Sequence, residues 1–267
     1  MRIRSNSKNA IRQFKHIKHL SISRNKDDGF LDLFLLPINA RNFDYNSVSD
    51  NLMESVADYA LSWKIRDKYK DKAMTLSRKA REKFKEAAKN DGELGELLLF
   101  CFLEGHLDAP KILTKLELKT SNQLYVNGSD GVHLKKLSDK KYQLIFGESK
   151  TYHDLNSAFD EAFKSISEFV NEKNIEGNDK SGISFEKGLI SSNIESEDIF
   201  EEDEKEILNV LLYPEEKGNC KFSLDDAFSI FIGYEIDIKD EQQKCSNEEF
   251  PIEIEGKIVN QIERSEE

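Results

Sequence analysis

Residues 128–150, GSDGVHLKKLSDKKYQLIFGESK, hold acids and a lysine at spacings suited to hydrolytic chemistry. Two strand-like runs, 131–137 and 141–148, flank the turn residues Ser138, Asp139 and Lys140, which is the composition of a β-hairpin. If Leu137 pairs with Lys141, Asp130 falls opposite Glu148, with Cβ atoms about 4.5–5.5 Å apart. The same register sets Val132 against Phe146 and Leu134 against Leu144, giving one continuous apolar face. Side chains alternate along a strand, so Lys150 projects to the side of Glu148 while His133 projects to the other and stays outside the site. A register slipped by one residue would put the two acids on opposite faces.

Two carboxylates so close together repel, and burial disfavours their ionisation further. A divalent cation relieves both penalties, and hard Mg²⁺ prefers carboxylate oxygens. Such a cation lowers the pKa of bound water and stabilises charge on a phosphoryl oxygen. Lys150 could orient the attacking water or neutralise charge developing on the phosphorus centre. The competing reading is a surface hairpin with an ordinary exposed ion pair, worth about 0–1 kcal/mol.

Asp130, followed eighteen residues later by Glu148-Ser149-Lys150, resembles the D…ExK signature of the PD-(D/E)xK nuclease superfamily. An ExK tripeptide is common by chance; the aspartate at this distance, a strand under each acid and an apolar helix upstream make the match more specific. FLDLFLLPI, GELGELLLFCFLE, SDGVH and FGESKTY more closely resemble the HamA family, nuclease subunits of bacterial Hachiman antiphage defence, over roughly residues 30–240. The resemblance implies a Mg²⁺- or Mn²⁺-dependent DNA endonuclease or nickase. Its implied partner is a superfamily-2 helicase, HamB, which restrains the nuclease until DNA is sensed. It implies Asp130 and Glu148 as metal ligands, the Ser149 carbonyl as a third, and Lys150 as the catalytic lysine. Many superfamily members add a glutamate from the first core helix. Glu96 in GELGE matches that position, with Glu93 one turn earlier left open. Ser129 stands where the signature often has proline, and no glutamine motif follows in the next helix. The alternative function is an inactive nuclease fold serving as a DNA-binding or regulatory subunit. The intact Asp, Glu and Lys set favours activity.

Several elements must position these residues. The run 29–38, ended by Pro37, reads as a buried strand. Ser47 or Ser49 could cap a helix reaching about Trp63, with Leu52, Val56, Tyr59 and Ala60 on one side. A long amphipathic helix over about 65–89 carries Ile65, Tyr69, Ala73, Leu76, Ala80, Phe84 and Ala87 on its apolar face. Its Lys/Arg face reads as solvated surface or as a phosphate track, and Asn90-Asp91-Gly92 ends it. Residues 93–104 are apolar nearly all round, as in a core helix, and Glu96 there is costly to bury unless it has a partner. Ile112, Thr114, Leu116 and Leu118 alternate as a strand does. After the hairpin a helix starts near Asp154, with Ala158, Phe159, Ala162, Phe163, Ile166, Phe169 and Val170 as its apolar face. A loop at 171–182, an acidic helix at about 199–212 and a strand at 227–236 follow. The last thirty residues read as an exposed helix or a tail that orders on a partner. This order describes an α/β fold, a mixed sheet flanked by helices. Its expected divisions are a basic segment 1–28, a nuclease-like domain 29–237 and an acidic docking tail 238–267.

Composition limits the setting. Of the 267 residues 38% are hydrophobic and 34% charged, and 17 Phe and 8 Tyr supply bulky core material. No run of about 18 apolar residues exists, so no segment spans a membrane, and the basic N-terminus lacks the apolar stretch of a signal peptide. Cys101, Cys220 and Cys245 form no CxxC pattern, which fits a reducing cytoplasm and speaks against a zinc site. The net charge of −12 is unevenly spread: residues 191–267 carry −16, the first 190 about +4. A free-standing DNA binder would carry a basic face; this asymmetry suggests separate partners for the two ends.

Overall fold

The computed structural model describes residues 5–24, 27–84, 92–114, 129–171 and 222–265. The expected strand residues Leu116 and Leu118, most of the 171–182 loop and the 199–212 helix lie outside the described residues. Sixteen elements are described in chain order. A short helix α1 (Ser7–Ile11) leads into the β1 (Lys15–Arg24)–β2 (Asp27–Leu35) hairpin and the small β3 (Ile38–Asn39)–β4 (Asn42–Phe43) pair. Helices α2 (Tyr45–Ala60), α3 (Trp63–Lys68), α4 (Ala73–Lys83) and α5 (Gly92–Gly105) follow. Then come β5 (Lys111–Thr114), β6 (Gly131–Ser138), β7 (Lys141–Tyr152), α6 (Leu155–Val170), β8 (Ser223–Tyr234), α7 (Lys239–Lys244) and α8 (Glu249–Ser265).

The central sheet runs β5-β6-β7-β8. Its first three strands are antiparallel, and β8 lies parallel to β7. The fold is therefore α/β with a mixed sheet. Helix α5 covers one face, where Leu99 and Leu103 meet Ile145, with Ala227 and Phe231 alongside. On the opposite face Val132, Leu134, Leu144 and Phe146 pack with Phe169 of α6. The expected pairing of Val132 with Phe146 and Leu134 with Leu144 is present. Near the turn the register differs: Ser138, not Leu137, pairs with Lys141, and the ladder shifts between Lys136 and Ser138. Absorbing one residue there leaves the tighter two-residue loop Asp139-Lys140 while the apolar pairs upstream stay aligned.

Helix α2 is capped by Asp44, whose carboxylate accepts from Ser47 N at 3.1 Å, rather than by Ser47 or Ser49. The continuous helix expected over 65–89 is broken at Tyr69–Lys72 into α3 and α4, and its residues 85–89 lie outside the described residues. Two buried demands separate the pieces. Arg66 of α3 turns in to pair with Asp58 and stacks over Trp63. Leu76 and Ala80 of α4 and its C-cap Phe84 pack with the α2 residues Val48, Leu52, Val56 and Tyr59. Arg66 is thus committed inside the fold instead of lining a phosphate track.

The segment from 238 onward shares a core with the N-terminal hairpin. Phe250, Ile254, Ile258 and Ile262 of α8 recur every four residues and are buried with Leu33, Leu35 and Leu155, the spacing of one helix face. Lys15 and Lys18 of β1 pair with Glu255 and Glu263 of α8. The acidic segment read as an exposed helix or tail therefore has one fully packed side. The hairpin is also held to the C-terminal end of α5. Asp32 of β2 accepts from His16 Nε2 at 2.9 Å, His19 Nδ1 at 2.7 Å and His106 Nε2 at 2.8 Å. Burial pushes the Asp32 carboxyl up, but these three hydrogen bonds outweigh it and hold the group below its ordinary range.

His133 points to the α5 side of the sheet and is 1% exposed. Its Nδ1 lies 2.8 Å from Ala109 O; a carbonyl only accepts, so Nδ1 carries the proton. Burial pushes this imidazole down to about 4 from 6.5. A depressed folded-state pKa means stability is full above pH 6.5 and is lost as pH falls through about 4. That loss amounts to about 3 kcal/mol at 1.36 kcal/mol per unit. The contribution of Asp32 is lost only below the ordinary aspartate range, so the two windows separate. Urea unfolding between pH 7 and 4 should show this fall, and His133→Leu, though less stable at pH 7, should show a flatter one. An equal slope in both proteins would refute a buried neutral His133.

Candidate active site

Asp130 immediately precedes β6, and its N–H donates to Gly147 O at 2.8 Å. Its Oδ2 accepts from Ser149 N at 2.8 Å and from Ser149 Oγ at 3.0 Å. The carboxylate is thus fixed to the end of β7 rather than standing simply side by side with Glu148. Glu148 and Lys150 share the other face of β7, and Lys150 Nζ lies 2.5 Å from Glu148 Oε1. Burial pushes the Glu148 carboxyl above its ordinary range, the Asp130 charge adds to the rise, and Lys150 and a Ser165 hydrogen bond offset it only in part. Asp130 is 7% exposed, and the Glu148 and Lys150 side chains are 16% and 21% exposed. Those values set aside the reading of a solvated surface ion pair.

Helix α5 places its acidic end beside this strand. A Cβ added to Gly95 would meet Thr151 Oγ1 at 3.0 Å and Ser149 Oγ at 3.3 Å. The helix backbone therefore rides directly over β7, beside Glu96. Glu96 Oε2 accepts from the Tyr59 hydroxyl at 2.5 Å. Burial raises the Tyr59 phenol well above its ordinary range, and the nearby charges of Glu96, Asp130 and Glu93 add to the rise. Glu93, Glu96 and Asp130 thus surround one phenol, and Glu93 is the more buried of the two helix acids.

The sequence-derived residues Asp130, Glu148, Ser149, Lys150 and Glu96 all lie around the same end of the sheet. Two polar groups beside them were not legible as site residues. Tyr59 is one more member of the α2 apolar face, and Ser165 lies on α6 among residues that only the fold brings over Glu148. The one available signal was that a buried tyrosine hydroxyl needs a partner.

Among the described residues, no three His, Cys, Asp or Glu side chains stand as a ready metal-holding group. The donors at the sheet end are all hard oxygens: two carboxylates, the Ser149 main chain and the nearby Glu96. Such a set fits Mg²⁺ or Mn²⁺ rather than a softer ion. The upward shift of Glu148 also fits a group that a cation would relieve.

A family model described as HamA matches residues 10–267 of the chain. The chain belongs to the HamA family. That membership implies a component of Hachiman antiphage defence. No curated protein and no solved structure matches the chain. The HamA match runs through the segment that forms α8. Among the described residues, no helix of this HamA chain is long and apolar enough to cross a membrane.

The closeness of α5 to β7 depends on Gly147. A Cβ there would meet Leu99 Cδ2 at 2.8 Å, Gly131 O at 3.3 Å and Leu103 Cδ1 at 3.4 Å. Gly147→Val should lower stability by about 1–3 kcal/mol through overpacking. Gly256→Ala, in a helix where a Cβ meets nothing within 4 Å, should be neutral or stabilising by up to about 1 kcal/mol. Denaturant midpoints of the two variants check this; a fully stable Gly147→Val would disprove the tight helix–strand contact.

Proposed function

We propose that this HamA chain is the nuclease effector of its defence complex, a Mg²⁺- or Mn²⁺-dependent DNA endonuclease or nickase. The observation that carries the reading is the buried Asp130 and half-buried Glu148 with Lys150 near the end of β7, where burial and the Asp130 charge together raise Glu148. Asp130, Glu148 and the Ser149 carbonyl would hold the cation, with Glu96 beside them. When bound, the cation supplies an acidified water and charge stabilisation at phosphorus. Asp130 is pre-oriented by the Ser149 N–H and hydroxyl, which fix its second oxygen. Lys150 at present neutralises Glu148. With a cation on that carboxylate, Lys150 would be free to hold the attacking water or a phosphoryl oxygen.

A second reading is an inactive nuclease fold that binds DNA or regulates a partner. It draws on the Lys150–Glu148 pairing and on the lack of a ready three-residue metal group among the described residues. One assay separates the two. Cleavage of plasmid or duplex DNA, with and without the partner, should require Mg²⁺ or Mn²⁺ and vanish in EDTA. Asp130→Ala, Glu148→Ala and Lys150→Ala should each abolish it while the protein stays folded. The double variants should be little worse, because groups acting as a unit are non-additive. Full activity in any single variant would remove that residue from the centre, and undiminished cleavage in EDTA would end the metal mechanism.

The partner in this reading is a superfamily-2 helicase of the HamB kind, which restrains the nuclease and delivers DNA. A chain of net charge −12 has little unaided affinity for a polyanion. The isolated subunit should therefore bind duplex DNA weakly at physiological salt, and the complex far more tightly. Because α8 carries core residues, deleting 238–267 would damage the fold as well as any docking surface. Charge reversal at the exposed Glu248 and Glu253 is the cleaner probe and should slow association with a basic partner. Tight DNA binding by the subunit alone, measured by fluorescence anisotropy, would overturn the idea that the partner supplies the substrate.

A further inference from the structure

We infer that Tyr59 is a positioning residue for Glu96 at the candidate metal centre, an inference that rests on the nuclease reading above. Tyr59 is fully buried at 0% exposure, and its hydroxyl donates to Glu96 Oε2 at 2.5 Å. Its ring packs against Phe100 and Phe84 at centroid distances of 5.7 Å and 6.0 Å. The backbone is equally constrained. Lys111 Nζ, itself 3% exposed, donates to the carbonyls of Asp58 at 2.9 Å, Tyr59 at 3.2 Å and Leu61 at 3.2 Å. Thr114 Oγ1 donates to Tyr59 O at 2.9 Å. A cation placed at the C-terminal carbonyls of α2 also complements the helix dipole.

The chain of contacts runs from β5, through the last turn of α2, to one oxygen of Glu96. The hydroxyl thereby fixes one Glu96 oxygen, and with it the direction in which the carboxylate faces. Hydrogen-bonded ligating carboxylates of this kind set ligand orientation, and removing their partners typically weakens metal binding or activity about 10- to 100-fold. A purely structural role would be a hydroxyl that takes the nearest acceptor. Losing it would lower stability and leave metal affinity unchanged.

Tyr59→Phe retains the ring and deletes only the hydroxyl. Mn²⁺ binding to the full chain, followed by the paramagnetic resonance of free Mn²⁺, should weaken about tenfold. In the complex, the Mn²⁺ concentration for half-maximal cleavage should rise similarly, kcat should fall, and KM for DNA should hold. Glu96→Gln should behave alike, and the double variant should be no worse than either single, since both act on one carboxylate. Wild-type Mn²⁺ binding and cleavage in Tyr59→Phe, with Glu148→Ala inactive, would overturn the role of Tyr59 and leave the nuclease reading intact. Wild-type cleavage by Glu148→Ala would instead overturn the nuclease reading, and the inference with it.

Discussion

Helix α5 approaches β7 so closely that each element presents a glycine to the other. At Gly95 the helix backbone lies over Ser149 and Thr151, and at Gly147 the strand backbone lies under Leu99 and Leu103. Only residues without a Cβ allow both contacts, one from each partner. Setting each backbone against the other element's side chains brings Glu93, Glu96 and Asp130 around the Tyr59 phenol. It also seals Leu99, Leu103 and Ile145 from water, so the acidic groups stand at the mouth of a dry interface where their electrostatic coupling is stronger than in solvent.

Everything else braces that contact. Helix α1 is tied to the far end of α5 through Glu104, which accepts from Ser5 Oγ and Ser7 Oγ and from the Lys111 N–H. Gly105 permits this, since a Cβ there would meet Ser7 backbone at 3.0 Å. The β1–β2 hairpin reaches the same helix end through Asp32 and its three histidines, with Phe34 and Phe102 rings 4.6 Å apart beneath them. Three of the five histidines of the chain converge on one carboxylate. The hairpin in turn carries α8, so the N- and C-terminal regions are one packed layer.

The charge asymmetry of the chain acquires a partly internal meaning. Lys15–Glu255 and Lys18–Glu263 join the basic start of the chain to its acidic end. Exposed pairs of this kind contribute little stability each, about 0–1 kcal/mol, but they favour one seating of α8 over its alternatives while Phe250, Ile254, Ile258 and Ile262 supply the burial. The buried Asp58–Arg66 pair works differently. With side chains 10% and 12% exposed, it takes a cation out of the basic surface and uses it to hold α3 against α2.

The sequence by itself determined what repeats locally. Alternation along 131–148 determined the hairpin, its apolar face and the pairing of Val132 with Phe146, because period two leaves few registers that bury every large residue together. Helical spacing marked α2 and α6, an all-round apolar run marked α5, and the D…ExK pattern pointed to Asp130, Glu148 and Lys150. Docking of the elements selects which partner each face meets. It turned the Asp130 carboxylate onto Ser149, joined Tyr59 to Glu96 across 37 positions, separated α3 from α4, and buried one side of the acidic C-terminal helix. A periodic pattern records that a face is apolar and nothing about what covers it. Polar contacts between distant elements are set by the docking angles and distances of whole helices, here by glycines whose importance lies in the side chain they lack.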